Sequence, residues 1–290
     1  MASLIELVGN TPMAELRKLN PNPNVKIFAK LEGNNPGGSV KDRTALNMIT
    51  EAMKRGDVKP GDKMIEATSG NTGIALAMIA CLYDLQLELV LPDTSTKERT
   101  QTMEAFGANV TLLNGIEACR DYAETKAANG EAFILNQFAN DDNWGAHYKT
   151  TGPEIWRGTN GQITHFVSAM GTTGTIMGCS KFLKEQNNKI QIIGCQPTAE
   201  ASIPGIRRWP EAYLPKIFDP QRVDRIIDIS EQDAIQTTKN LARQEGVFAG
   251  MSSGGAAFAA IKLAAEIESG TIVFIACDRG DRYLSSNLFA

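Results

Sequence analysis

Two histidines, His147 and His165, are all that this 290-residue chain carries, and that scarcity closes off much chemistry. A His-rich metal centre is excluded, and a Ser-His-Asp triad has little material to draw on. The five cysteines (Cys81, Cys119, Cys179, Cys195, Cys277) form no C-x-x-C pair and are odd in number. Reduced thiols in a cytoplasmic protein are therefore the expectation. No apolar run is long enough to cross a bilayer, since the longest, Ile74 to Tyr83, stops at Asp84. The first residues lack a basic segment followed by an apolar one, so no secretory signal is expected. There is no dense basic run, and the formal net charge is −4, which argues against a nucleic-acid partner. Solenoid repeats and low-complexity segments are missing as well.

What is present is an alternation of apolar strands, small-residue loops and helices. Strands are expected at residues 26–31, 64–67, 87–91, 109–113, 164–170, 190–196 and 271–277. Helices are expected at 39–55, 73–85, 95–106, 176–186, 231–244 and 255–267, with Gly56 and Gly107 as stops. Such alternation implies a mostly parallel sheet covered on both faces. The turn-rich stretch from Asn140 to Tyr148 is the place where the chain would pass between lobes.

Ligands in open parallel sheets gather at the carboxyl ends of strands, and four loops there carry unusual residues. The first is Gly33-Asn-Asn-Pro-Gly-Gly-Ser39-Val-Lys41-Asp-Arg43. Ser39 and Asp42 read as a cap signature that puts Lys41 in the first helical turn. The helix dipole opposes a charged lysine there and so favours the neutral amine that Schiff-base chemistry needs. An isolated lysine would otherwise read as a solvated surface residue. The second loop, Thr68-Ser-Gly-Asn-Thr-Gly73, is either an anion socket or a plain cap with turn glycines. The third, Gly171-Thr-Thr-Gly-Thr175, combines close backbone approach with hydroxyl donors, as a phosphate requires. It is neither a Walker A loop nor a dinucleotide fingerprint. In the fourth, Gly250-Met-Ser252-Ser-Gly-Gly255, the serines either cap the next helix or face a ligand.

Together with Gly9-Asn-Thr-Pro12, these loops resemble, in order and spacing over nearly the whole chain, the cysteine synthase family (O-acetylserine sulfhydrylases). These are pyridoxal 5′-phosphate enzymes of fold type II, built like the tryptophan synthase β subunit. Ser202-Ile-Pro-Gly-Ile-Arg-Arg-Trp209 and the run from Cys277 to Leu284 are similar to the B isoform of that family. The resemblance implies a two-lobed α/β enzyme, with a smaller lobe at 35–145 and a larger one from 1–34 plus 146–290. It further implies a homodimer acting on small molecules, with no nucleic acid, membrane or metal.

By the same resemblance Lys41 carries the cofactor as a Schiff base and acts as general base. Asn71 bonds the cofactor's 3′-oxygen, and Gly171, Thr172, Thr173, Gly174 and Thr175 hold its phosphate. Ser252, in preference to Ser253, faces the pyridine nitrogen. A serine there does not force that nitrogen to stay protonated, which suits β-elimination over transamination. Thr68, Ser69, Thr72 and Gln137 take the substrate's α-carboxylate. Arg207 (or Arg208) and Cys277 surround the sulfur donor. The implied reaction makes L-cysteine, or S-sulfocysteine, from O-acetyl-L-serine and sulfide, or thiosulfate, with release of acetate. The alternative is a serine or threonine dehydratase, although those show Ser-Phe-Lys where this chain has Ser39-Val-Lys41. A scaffold that merely kept the fold is opposed by the intact loops, and the histidines need no catalytic part.

Overall fold

The computed structural model describes residues 2–68, 70–286 and 288–289. In chain order the first elements are β1 (Met13–Leu16), β2 (Val25–Leu31), α1 (Lys41–Arg55), β3 (Lys63–Ala67) and α2 (Asn71–Leu82). Next come β4 (Gln86–Pro92), α3 (Lys97–Ala105), β5 (Asn109–Leu113), α4 (Gly115–Ala128) and β6 (Phe133–Ile134). Then follow α5 (Asp141–Lys149), α6 (Thr151–Gly158), β7 (His165–Ala169), α7 (Gly174–Gln186) and β8 (Gln191–Pro197). The last are β9 (Arg225–Ile229), α8 (Glu231–Glu245), α9 (Met251–Glu266) and β10 (Gly270–Ala276).

Two sheets result, one ordered β5-β4-β3-β6 and the other β1-β2-β10-β7-β8-β9. The four-stranded sheet is wholly parallel. The six-stranded one is parallel except for the antiparallel pair β1–β2. β10 lies between β2 and β7, and its run Ile272–Ala276 is buried throughout, as a strand covered on both faces requires. α2 is buried from Thr72 to Ala80, consistent with a helix that is apolar all round. α1 stops where Gly56 takes a left-handed conformation and its N–H reaches the Ala52 carbonyl, the usual glycine C-cap.

Several boundaries differ from expectation. The stretch from Asn140 to Tyr148 is largely α5 rather than a turn, because the Asn140 side chain caps it and Asp141 and Asp142 favour its positive end. Residues that cap helices and residues that make turns are the same residues. α1 begins at Lys41, two residues late, with Val40 at the cap. Ser39 instead forms an isolated bridge with Asp278, and Asp42 turns back to accept the Gly37 N–H. α9 begins at Met251, so both serines of the fourth loop lie inside its first turn. α4, α6, β1, β6 and β9 were not read from periodicity at all; β6 has only two residues.

Candidate active site

The loops that follow β3, β7 and β10 line one cleft. Lys41 opens onto it from the first turn of α1. The approach is fixed by the Val40 N–H donating to the Cys277 carbonyl at 2.8 Å and by the Ser39–Asp278 bridge. Burial lowers the Lys41 ammonium below its ordinary range, against the pull of Cys277, Asp278 and Glu32. Its amine makes no hydrogen bond among the described residues, so the group is held in a form ready for covalent chemistry.

The loop after β7 forms the opposite wall. Thr172 Oγ1 is held by the Asn143 side chain at 3.2 Å, and Thr175 Oγ1 lies 3.3 Å from His147 Nε2. Thr173 sits at φ 69°, and its hydroxyl is buried with no partner among the described residues. A buried hydroxyl without a partner carries a desolvation penalty unless a ligand satisfies it. At Gly171 an added Cβ would come within 2.9 Å of the Gly205 carbonyl. At Gly174 an added Cβ would collide with Asn143, so its small size also serves the packing of α5 against α7. Threonine hydroxyls at a helix start, one of them orphaned, fit a phosphate.

From β3 come Thr68, Asn71 and Thr72, while Ser69 lies outside the described residues. Thr68 Oγ1 accepts the N–H groups of Gly70 and Gly73 at 3.2 Å each. Gly70, at φ 148° and ψ −84°, has a backbone conformation that only glycine adopts readily. Thr72 donates to Gln137 Oε1 at 2.8 Å. Asn71 is clamped on both sides, its amide donating to Asp278 at 2.7 Å and its carbonyl accepting from Arg282 at 2.6 Å.

The serine pair separates clearly. Ser252 lines the cleft, whereas Ser253 is fully buried and its Oγ accepts the Cys277 N–H at 2.8 Å. The arginines separate too. Arg208 pairs with Asp228 at 2.6 Å on the surface. Arg207 lines the cleft, makes no ion pair among the described residues, and is shifted below its ordinary range by burial. Cys277 also lines the cleft, and burial pushes its thiol up to about 11 although Lys41 pulls the other way. It is therefore a thiol at neutral pH, not a nucleophile.

Sequence reasoning missed Phe138, Trp209, Arg99 and Tyr283, all of which reach the cleft. Trp209 donates to the Gly171 carbonyl at 2.7 Å and meets Phe138 edge-to-face at 5.4 Å. A tryptophan directly after Arg207-Arg208, in a stretch with no strand or helix period, was the available signal.

The chain matches, over residues 4–278, the family model described as pyridoxal-phosphate dependent enzyme. It is 54% identical to cysteine synthase B of Pseudomonas aeruginosa, covering 99% of this chain and 97% of that protein. Among solved structures, an O-ureido-L-serine synthase superposes with a TM-score of 0.94 at 32% identity, covering 100% of this chain and 95% of the other. A cysteine synthase of Entamoeba histolytica superposes with a TM-score of 0.92 at 37% identity, covering 100% and 90%.

Proposed function

The chain belongs to the pyridoxal-phosphate dependent enzymes, and on that premise we propose that it makes L-cysteine from O-acetyl-L-serine and sulfide, releasing acetate. The observation that carries this reading is one cleft shared by a desolvated Lys41 amine and a threonine-rich loop with an unsatisfied hydroxyl at Thr173. Full-length likeness to cysteine synthases supports it.

In this reading Lys41 holds the cofactor covalently, Gly171 to Thr175 hold its phosphate, and Asn71 and Ser252 meet its ring. When bound, the cofactor supplies an electron sink that makes the substrate's α-proton acidic and its β-acetoxy group easy to expel. Once displaced from the cofactor by the substrate's amino group, Lys41 would take that proton at Nζ, and burial, which lowers its basicity, favours the neutral amine that this role needs. Thr68, Ser69, Thr72 and Gln137 orient the α-carboxylate. Because Asp278 and Arg282 fix the Asn71 amide, its orientation is set before any ligand arrives, which spares an ordering cost.

Incubating the purified protein with cofactor, O-acetylserine and sulfide is the direct test. Cysteine and acetate in equal amounts are expected. Pyruvate and ammonia would instead identify a dehydratase.

A second sulfur donor, thiosulfate, is favoured by Arg207, whose planar fork opens on the cleft and suits a sulfonate-type oxyanion. Wild type should then yield S-sulfocysteine, while Arg207→Ala should lose about tenfold or more of its thiosulfate activity and keep most of its sulfide activity. Equal losses with both donors would assign Arg207 to the first half-reaction or to structure.

We assign residues 35–145 to a smaller lobe around the four-stranded sheet, and 1–34 with 146–290 to a larger one. We also place the enzyme in the cytoplasm as a homodimer. Unpaired cysteines among the described residues support the first placement. Exposed Leu4 and Leu7 support the second, and sedimentation would test it. Among the described residues no helix is long and apolar enough to cross a membrane.

A further inference from the structure

β6 is cut short for a reason. Its two residues pair with Met64 and Ile65 of β3, and at the next step the chain leaves the sheet. Asn136 takes a left-handed conformation, φ 54°, which strips the following N–H groups of a strand partner. The Glu66 side chain replaces that partner. One carboxylate oxygen accepts the Asn136 N–H at 2.9 Å and the other the Gln137 N–H at 3.0 Å. Glu66 is 1% exposed and forms no ion pair among the described residues, so these N–H groups stand in for the water it has lost.

The neighbouring residue completes the grip. Gln137 donates through Nε2 to the Ala67 carbonyl at 2.8 Å and accepts from Thr72 at 2.8 Å. The Ala67 carbonyl can only accept, which fixes the amide's orientation and leaves the second Nε2 hydrogen for the cleft that Gln137 lines. Residues 66 and 67 therefore hold the backbone and the side chain of one glutamine. Burying an acid in β3 costs desolvation, and the N–H groups of the turn it organises offset that cost.

We propose that Glu66 is a positioning residue that sets Gln137 for the substrate's α-carboxylate, and so governs affinity for the amino-acid substrate. The inference rests on the assignment of Gln137 to that carboxylate, and the test separates the two. Steady-state kinetics of the holoenzyme with O-acetylserine would compare wild type, Glu66→Gln, Gln137→Ala and the double variant. Glutamine at 66 keeps one acceptor but turns an amine toward an N–H, so the loop should shift. Glu66→Gln is expected to raise KM for O-acetylserine roughly tenfold with kcat within about twofold, because small misplacements of a binding group are costly. Gln137→Ala should raise KM at least as much, and Glu66→Gln should add little on top of it, as expected for residues acting through one another. An unchanged KM in Glu66→Gln, or an equal rise in the Gln137→Ala background, overturns the positioning role. A Gln137→Ala variant with unaltered KM overturns the carboxylate assignment instead. A lowered thermal midpoint with KM unchanged would show a structural acid only. If Glu66→Gln does not fold, Glu66→Asp, which keeps the carboxyl but shortens the arm, carries the same test.

Discussion

Lys41 and Arg43 stand two residues apart on one helix, yet their surroundings obey opposite rules. Arg43 is enclosed by Glu32 at 2.7 Å and Glu154 at 2.6 Å, and Lys30 donates to Glu154 at 2.7 Å and to the Thr11 carbonyl. Every charge in that cluster has a partner of opposite sign. On the other side of the helix start, the Lys41 amine, the Thr173 hydroxyl and the Arg207 guanidinium line the cleft without hydrogen-bond partners among the described residues. A saturated polar cluster ties β2, α1 and α6 together. An unsaturated one waits for a ligand. Burial alone does not tell a structural polar group from a functional one. Missing partners matter where they coincide with the cleft lining, since Asp42 Oδ1 and Thr96 Oγ1 are also buried without a partner among the described residues but lie outside that lining.

The contrast is broken most severely at Lys41. Lys41→Ala should lower turnover by about a thousandfold or more, while thermal unfolding of the cofactor-free protein stays close to wild type. Borohydride reduction followed by peptide mapping should find the cofactor on Lys41. Label on Lys30, the lysine of the saturated cluster, would reverse the assignment.

The opposite outcome is expected at Glu154. Burial pushes its carboxyl up, but Arg43 and Lys30 outweigh that and hold it at about 2, below the ordinary 4.5. A carboxylate depressed in the folded state stabilises fully above its unfolded value and loses that contribution as pH falls toward the folded one. Glu154→Gln should therefore cost about 3–5 kcal/mol at neutral pH, since it strands buried cations. The gap to wild type should narrow as pH drops from about 4.5 toward 2. Urea unfolding across that range is the measurement, and a pH-independent gap would remove the ion pair from the explanation.

The finest test uses the orphaned hydroxyl. Thr173→Val preserves shape and removes the group, so cofactor affinity should fall by about 1 kcal/mol, roughly fivefold. The apo-protein should be unaffected or slightly more stable, because an unsatisfied buried group has gone. Loss of stability without loss of affinity would place Thr173 with the structural set. Titrating the cofactor and melting the apo-protein separate the two.

What could be read from the sequence follows the same divide. Loops 68–73 and 171–175 could be picked out as cleft-lining because glycines interleaved with hydroxyl side chains at a strand end are a local signal. Lys41 was legible for the same reason. The partners that hold those loops were not. Asn71 depends on Asp278 and Arg282, more than 200 residues away, and no period or motif announces such a pairing. The helix start expected at Ser39 shifted because the Ser39 backbone is drawn into a bridge with Asp278 while its hydroxyl accepts the Lys41 N–H, and Asp42 turns back to the Gly37 N–H. The bond from the Cys277 N–H that separates Ser253 from Ser252 is long-range. Glu66 left a faint trace, an acid inside a strand, that periodicity alone could not interpret.

The position of β10 has a consequence for how the molecule is made. The four-stranded sheet is drawn from one continuous stretch, residues 63–134, and can assemble while the rest is still being synthesised. The six-stranded sheet cannot, because the strand between β2 and β7 is the last of them to leave the ribosome. Until residues 270–276 emerge, β2 and β7 each present a bare apolar edge, and Lys41 has no Cys277 carbonyl to anchor the loop that carries it. The nascent chain should thus pass through an interval in which the four-stranded sheet can form while the loop that carries Lys41 is unplaced. That interval is when a holdase chaperone would matter most to this enzyme, and a translational pause just before β10 would lengthen it.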